Sequence, residues 1–252
     1  MTVDLEQVLL PFGLVLMRVG TFVATCPVFV PDSVSAPIRA ALATILSISL
    51  TFTLPHFAVP SSLLCALVAE MLMGGLLGAS VRLTAVAIGY AGEVFDINLG
   101  FSFARTVNPM MGEEATPMMQ VAQLLGSLSF LLADGQRHVI QGLHQSLRLF
   151  EPGSGGGLTT WPRIFAAHLS EVAQAGLLLS FPIVLAMLCT QLGLALLSRL
   201  APALNIWAIG LLGTCGMGLL ALWCFLPAWF DGLLTLWRQF DPFVDLLGAR
   251  AR

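Results

Sequence analysis

Uninterrupted apolar runs dominate the C-terminal half of the chain. Residues 172–198 and 200–230 contain no charged side chain at all, and a helix that crosses a bilayer needs about 20 mostly apolar residues. Residues 115–133 are also uncharged, and Thr116-Pro117 at their start is typical of a helix N-cap followed by proline at the first helical position. The pattern therefore predicts three apolar helices in this half.

The N-terminal half holds three further apolar runs with few charges. Residues 8–30 contain the single charge Arg18, and residues 38–54 form a shorter run that stops at Pro55. Residues 63–104 contain no proline but carry four charged side chains, namely Glu70, Arg82, Glu93 and Asp96. The complete pattern predicts an all-α integral membrane protein with about six long apolar helices.

The run 63–104 is too long for a simple membrane-spanning helix. At 1.5 Å per residue one straight helix would measure about 63 Å, whereas the hydrocarbon core of a bilayer is about 30 Å thick. The run must therefore break, extend beyond the bilayer, or belong to a bundle that does not simply span the membrane.

Small and charged residues recur on one face of this run. The recurrence has spacings of three and four residues, which keep positions on one helix face, and it consists of Gly75, Gly78, Arg82, Ala85, Gly89, Gly92 and Asp96. Small residues allow a second helix to approach closely, and charged ones should point to protein or water. One interpretation is a tight helix–helix seam with a buried ion pair, and the other is direct lining of a pore. The glycines to which we assign helix packing are Gly74, Gly75, Gly78, Gly89, Gly92 and Gly100.

Polar segments separate the apolar runs without dividing the chain into domains. We interpret 1–252 as a single membrane-embedded domain with connections at 105–117 and 134–171 and a C-terminal tail at 231–252. The glycine-rich part of the second connection, 151–157, is typical of a turn or flexible loop.

Composition supports a membrane protein and excludes several functions. The chain is 57% hydrophobic and 10% charged, whereas soluble domains carry about 25% charged residues. All eleven basic residues are arginine, the net charge is −3, and no basic cluster is present, so we expect no nucleic-acid binding. The five cysteines form no CxxC pair and predict neither a disulfide framework nor a metal site.

No catalytic constellation emerges from the polar residues. Ser102 lies in a Gly-x-Ser-x-Ala context that is helical and apolar, whereas a nucleophile elbow needs a strand before the serine. His138 and His144 are six residues apart and do not share a helix face. We therefore expect no enzyme, no cofactor and no metal ion.

Several motifs, taken in order, resemble one family of membrane proteins. The run from Ala91-Gly92-Glu93 through Asn98-Leu99-Gly100-Phe101-Ser102-Phe103-Ala104 to Asn108-Pro109 is similar to the signature of the FliR/SctT family, the export-gate subunits of flagellar and injectisome type III secretion. Agreement continues in Arg18-Val19-Gly20 with Pro37-Ile38-Arg39, in Glu70-Met71-Leu72-Met73-Gly74, in His138, Ser146 and Pro152-Gly153, and in the turn Pro202-Ala203-Leu204-Asn205. The resemblance covers nearly the whole chain.

The resemblance implies a protein-export function rather than catalysis. A family member joins P and Q subunits in a helical hetero-oligomeric gate of helical hairpins, contacts the B switch subunit, and forms the portal through which unfolded substrates cross the inner membrane at the flagellar basal body. The family's plug of the closed gate corresponds to Arg105, Asn108, Pro109, Met110, Met111 and Gly112, with the two methionines as its compliant apolar part. The family turn carries over to Pro202 and Asn205.

This sequence departs from the family at two positions, and two other functions remain open. Asn98 replaces a common glutamine, and Asn108 replaces an aspartate, so a role that needs a charge at 108 is not supported. A flagellar subunit is favoured, and an injectisome subunit is the alternative. A secondary transporter with Glu70, Arg82, Glu93 and Asp96 along its path is more distant, because such proteins contain inverted repeats, which we do not find.

Overall fold

A computed structural model describes residues 5–27, 35–54, 62–100, 116–154, 161–200 and 206–238. These parts of the chain form seven α-helices and no strand. In chain order the helices are α1 (Leu5–Thr25), α2 (Ala36–Thr53), α3 (Leu63–Leu99), α4 (Pro117–Leu132), α5 (Gly135–Leu149), α6 (Trp161–Leu200) and α7 (Ile206–Arg238).

The prediction of an all-α membrane protein is confirmed. Four helical segments are long and apolar enough to cross a membrane, namely Ala36–Thr53, Leu63–Leu99, Pro162–Leu200 and Leu212–Trp237. Two shorter apolar helices, Leu9–Thr25 and Pro117–Leu132, complete the six runs that the hydropathy pattern predicts. The seventh helix, α5, was not predicted.

Helix α3 is continuous over its 37 residues. Its length is about 55 Å, which exceeds the thickness of one bilayer core. The break considered from the sequence is therefore excluded for Leu63–Leu99. The helix ends at Gly100, whose φ of 81° lies in the left-handed region that glycine adopts without steric cost. Gly100 therefore terminates α3 and does not serve as a packing position within it.

The polar connection expected over 134–171 is largely helical. It contains α5 and the first turns of α6. Helix α5 has low mean hydropathy because most of its residues are polar or glycine. It buries one stripe, formed by Val139, Gly142, Leu143, Ser146 and Leu147. Likewise, the expected tail from 231 begins as helix, because α7 continues to Arg238 and buries Leu233, Leu236 and Trp237.

The chain divides into two compact units, where the sequence suggested one domain. Unit 1 comprises Met1–Thr84, Asp134–Glu171 and Arg238–Arg252, and unit 2 comprises Ala85–Ala133 and Val172–Trp237. Three of the boundaries between the units fall within continuous helices, after Thr84 in α3, after Glu171 in α6 and after Trp237 in α7.

In unit 1 the backbones of α1 and α3 lie in close contact. A Cβ added to Gly74 would meet the carbonyl of Arg18, and one added to Gly78 would lie 2.7 Å from the carbonyl oxygen of Phe22. The two glycines are four residues apart and form the small-xxx-small arrangement that lets membrane helices approach. No larger side chain fits at either position without separating the two helices.

In unit 2 the later part of α3 packs in the same way against α4. A Cβ on Gly92 would lie 2.6 Å from the Cβ of Ala122 and 2.8 Å from the carbonyl oxygen of Met118. Gly89 is less tightly packed, since its added Cβ would lie 3.4 Å from Gln123. Aromatic pairs add to this core, with Phe95 and Trp229 at a centroid distance of 5.6 Å and Phe130 and Trp237 at 4.8 Å.

Candidate functional site

A fully buried arginine holds unit 1 together. Arg18 lies in α1 and exposes none of its surface. Its Nε donates to Glu70 Oε2 of α3 at 2.5 Å. Its Nη1 and Nη2 donate to the carbonyl oxygens of Ser146 at 2.8 Å and Phe150 at 3.1 Å. Each nitrogen of the guanidinium therefore has an acceptor, which removes most of the cost of burying the charge.

The two carbonyl groups that Arg18 binds belong to the C-terminal end of α5. Phe150 is the C-cap residue of α5, and Ser146 lies in its last turn. The final carbonyls of a helix have no intrahelical partner and carry partial negative charge. The Ser146 carbonyl already accepts a hydrogen bond from the backbone N–H of Phe150. Arg18 adds a second hydrogen bond to that carbonyl, a hydrogen bond to the Phe150 carbonyl, and a favourable charge at the negative end of the helix dipole.

Glu70, the carboxylate partner of Arg18, also binds the turn that follows α5. Glu70 is fully buried, and its Oε1 accepts a hydrogen bond from the backbone N–H of Gly153 at 3.1 Å. Gly153 has a φ of 92°, which a larger residue adopts only with strain. We call the set Arg18, Glu70, Ser146, Phe150 and Gly153 the Arg18 network. It joins α1, α3, α5 and the turn 151–154.

A second buried carboxylate caps a helix in unit 2. Asp96 of α3 exposes none of its surface and accepts hydrogen bonds from the N–H groups of Met118 and Met119, each at 3.1 Å to Oδ2. Pro117 has no N–H, so these are the first donors of α4. Thr116 occupies the N-cap position as predicted, but its hydroxyl makes no cap bond. The carboxylate from α3 takes over that function.

The remaining charged positions of α3 do not join these networks. Arg82 is exposed and Glu93 is half-buried. The interpretation that the charged residues on the small-residue face of α3 form a buried ion pair is therefore wrong. The ion pair observed within the described residues is Arg18–Glu70, and Asp96 binds backbone N–H groups. Gly75 faces open space.

Helix α5 presents a polar outer surface with two arginines. Arg137 and Arg148 are exposed, and His144 between them is half-buried. Burial, and to a smaller extent the Arg148 guanidinium one turn further on, lower the pKa of His144 below its ordinary value. The shift favours the neutral form of the His144 imidazole, and Arg137 and Arg148 place positive charge on the exposed side of α5.

Part of the predicted site lies outside the described residues. This holds for the proposed plug, Arg105 to Gly112, and for the turn residues Pro202 and Asn205. Where the structure does describe the chain, it contains no cluster of three or more histidine, cysteine, aspartate or glutamate side chains that could hold a metal ion.

Comparison with known proteins gives the family. The model of the family described as bacterial export proteins, family 1, matches residues 9–240, which is most of the chain. The chain belongs to this family. The match contains α2 to α7 completely, the larger part of α1, and both buried networks.

Individual relatives agree with that assignment. The chain is 28% identical over 215 residues to the flagellar biosynthetic protein FliR of Pectobacterium carotovorum, covering 84% of this chain and 82% of the relative. It is 26% identical to the FliR of Caulobacter vibrioides, with 93% of each chain covered. It is also 27% identical to the surface presentation of antigens protein SpaR of Salmonella typhimurium, covering 66% of this chain and 63% of that protein. The chain is therefore similar to relatives named as flagellar biosynthetic proteins and to one named for the surface presentation of antigens.

The Arg18 network yields a prediction about stability. Arg18→Gln or Glu70→Gln should destabilise the full chain by about 3–5 kcal/mol, because each leaves the other charge buried without its counter-ion. Replacing both residues with methionine should cost less than the sum of the single changes. Thermal unfolding in detergent micelles, followed by circular dichroism, measures these differences.

Arg163 of α6, which is exposed, provides the matched control for that series. Arg163→Gln removes the same charge without uncovering a buried partner and should leave the unfolding temperature unchanged. Equal losses for Arg163→Gln and Arg18→Gln would contradict a special role of the buried pair.

The Asp96 cap yields a local prediction. Asp96→Ala should destabilise the start of α4 by about 0.5–2 kcal/mol, the usual cost of removing an N-cap acceptor. Hydrogen exchange of the Met118 and Met119 amides, read by mass spectrometry, should become faster. Glu93→Ala, on the same helix three residues earlier, should leave those amides as protected as in the unmodified chain, and an equal effect of both changes would refute the assignment.

Proposed function

We propose that this chain is the R-type subunit of a flagellar type III protein export gate, which forms, with P and Q subunits in the bacterial inner membrane, the portal that unfolded substrates enter. The observation that carries the proposal is the family match over residues 9–240, together with relatives named as flagellar biosynthetic proteins. The B switch subunit and the lipid bilayer are further expected partners.

The arrangement of the buried charges supports a structural frame rather than an ion path. A secondary transporter would use intramembrane charged residues to bind and release its substrate or coupling ion. Here Arg18, Glu70 and Asp96 are fully buried, and their hydrogen bonds go to each other or to backbone groups. Charges that are occupied in this way fix helices in place and favour the export subunit over the transporter.

The exposed apolar surface supports assembly with other membrane helices. In the most hydrophobic windows of the four candidate membrane helices, only 17% to 50% of the residues are buried within this chain. The other residues must face lipid or neighbouring subunits, because such surface is unfavourable in water. A hetero-oligomeric gate of packed helices provides that environment.

An injectisome version of the same subunit is the second candidate. The likeness to a protein named for surface presentation of antigens supports it. The covered share of the chain is smaller there, at 66% compared with 93% for the Caulobacter FliR. We therefore place the flagellar function first.

The proposed gate also needs a seal when no substrate is present. We assign this function to residues 105–112, in which Met110 and Met111 supply flexible apolar side chains that conform to varied surfaces. The Asp96 cap supports the assignment, because it fixes α3 to the start of α4 and these helices flank the segment in sequence.

Deletion and purification test the proposed function. Removing the gene from its native bacterium should abolish secretion of hook and filament subunits, and the full chain supplied from a plasmid should restore it. The tagged chain should co-purify with the P and Q homologues. Normal flagellar export in the deletion strain, or extraction of the chain only as a monomer or homodimer, would refute the flagellar gate.

Ion permeability tests the proposed plug. Replacing residues 105–112 with a Gly/Ser linker of equal length should make membranes that contain the assembled complex leaky to ions, measured as dye or current flux. A second variant, Met110→Ser with Met111→Ser, should show a smaller leak. An intact permeability barrier in the assembled linker variant would rule out the plug.

A further inference from the structure

One face of α3 within unit 1 is apolar and uncovered. Leu64, Val68 and Met71 expose 73%, 48% and 55% of their surface, and the spacings of four and three residues place them on one side of the helix. Gly75 and Arg82, four and eleven residues beyond Met71, continue the same stripe. We call Leu64, Val68, Met71, Gly75 and Arg82 the outward face of α3.

Arg82 is a charged residue in an otherwise apolar surface. It is exposed, and among the residues that the structure describes it takes part in no hydrogen bond and no ion pair. It lies near the middle of a 37-residue helix that is apolar enough to cross a membrane. An arginine against hydrocarbon is costly, so such residues face protein or water and usually pair. We therefore expect the acceptor of Arg82 to lie beyond the residues that the structure describes.

Gly75 leaves room on this face for a further helix. In the same helix, Gly74 and Gly78 are positions where α1 approaches so closely that a Cβ would overlap its backbone. Gly75 is also without a side chain, but nothing lies within 4 Å of the position that a Cβ would occupy. This open position in an apolar helix surface, two turns from a charged residue, allows the close approach of a further helix.

The chain itself shows which chemical group satisfies an arginine among apolar helices. Arg18, in α1, is paired with the carboxylate of Glu70 in a neighbouring helix. A guanidinium forms stronger and more directional bonds to a carboxylate than to neutral acceptors. A carboxylate on an approaching helix is therefore the complement that the outward face lacks.

We propose that the outward face of α3 docks an apolar membrane helix of another subunit of the export assembly, and that a carboxylate on that helix pairs with Arg82 while its backbone closes on Gly75. The inference rests on the proposed function for the existence of such subunits. It adds the surface, the pairing residue and the chemistry of the partner.

Charge reversal in the assembled complex tests the pairing. The tagged full chain is co-expressed with its P and Q homologues, and each co-purified subunit is quantified by mass spectrometry per tagged chain. Arg82→Glu should reduce recovery of the docked subunit about tenfold or more, because it places like charges opposite each other. Arg82→Lys should retain most of the recovery.

Two matched controls accompany this experiment. Arg163→Glu reverses an exposed charge elsewhere in unit 1 and should leave recovery unchanged. Gly75→Leu should reduce recovery as Arg82→Glu does, whereas Gly13→Leu, also made at a glycine of unit 1 with no atom within 4 Å, should not. Thermal unfolding of the isolated chain should be the same for all these variants, since none of the replaced side chains is buried.

A photo-crosslinking amino acid in place of Met71 should identify the docked subunit. Exchanging the carboxylate of that subunit for arginine should then restore recovery of the Arg82→Glu complex. Crosslinks to lipid alone, or a recovery that depends only on anionic phospholipid, would assign Arg82 to a lipid headgroup and overturn the proposal.

Two further results separate this inference from the proposed function. If the unmodified chain assembles with its partners and Arg82→Glu assembles equally well, the docking proposal is wrong and the export function stands. If the unmodified chain recovers no partner at all, the proposed function fails first.

Discussion

The cost of removing one guanidinium from water governs the architecture of unit 1. Arg18 has no exposed surface, and a buried charge is tolerated only when counter-charge and hydrogen-bond acceptors surround it. The acceptors come from a carboxylate on α3 and from two carbonyls at the end of α5. Because a guanidinium stays protonated under all ordinary conditions, the three helices have to meet there for the unit to fold.

Unit 2 also has a buried charged side chain that binds the end of a neighbouring helix, but there the charge is negative. Asp96 brings negative charge to the positive end of α4, while Arg18 brings positive charge to the negative end of α5. Both residues belong to apolar helices and both satisfy backbone groups of a helix that follows later in the chain. Gly74 and Gly78 bring α3 close to α1, and Gly92 brings α3 close to α4.

Apolar runs with few or no charges were sufficient to predict six apolar helices, and Thr116-Pro117 marked the start of α4 correctly. Helix α5 was missed because its apolar stripe is narrow and its overall composition is polar. Arg18 and Glu70 were identified as charged residues within apolar runs, but their pairing spans 52 residues, and neither spacing nor composition links positions that far apart. The cap supplied by Asp96 was missed for the same reason, since the local sequence offers a threonine.

The separation of Arg18 from its acceptors has a consequence for biogenesis. Ser146 and Phe150 lie 128 and 132 residues further along the chain, and chains are synthesised from the N-terminus onward. During synthesis α1 therefore leaves the ribosome with a permanent charge whose acceptors do not yet exist. The counter-ion Glu70 follows 52 residues after Arg18, but the full set of hydrogen bonds to the guanidinium can form only after α5 has been synthesised.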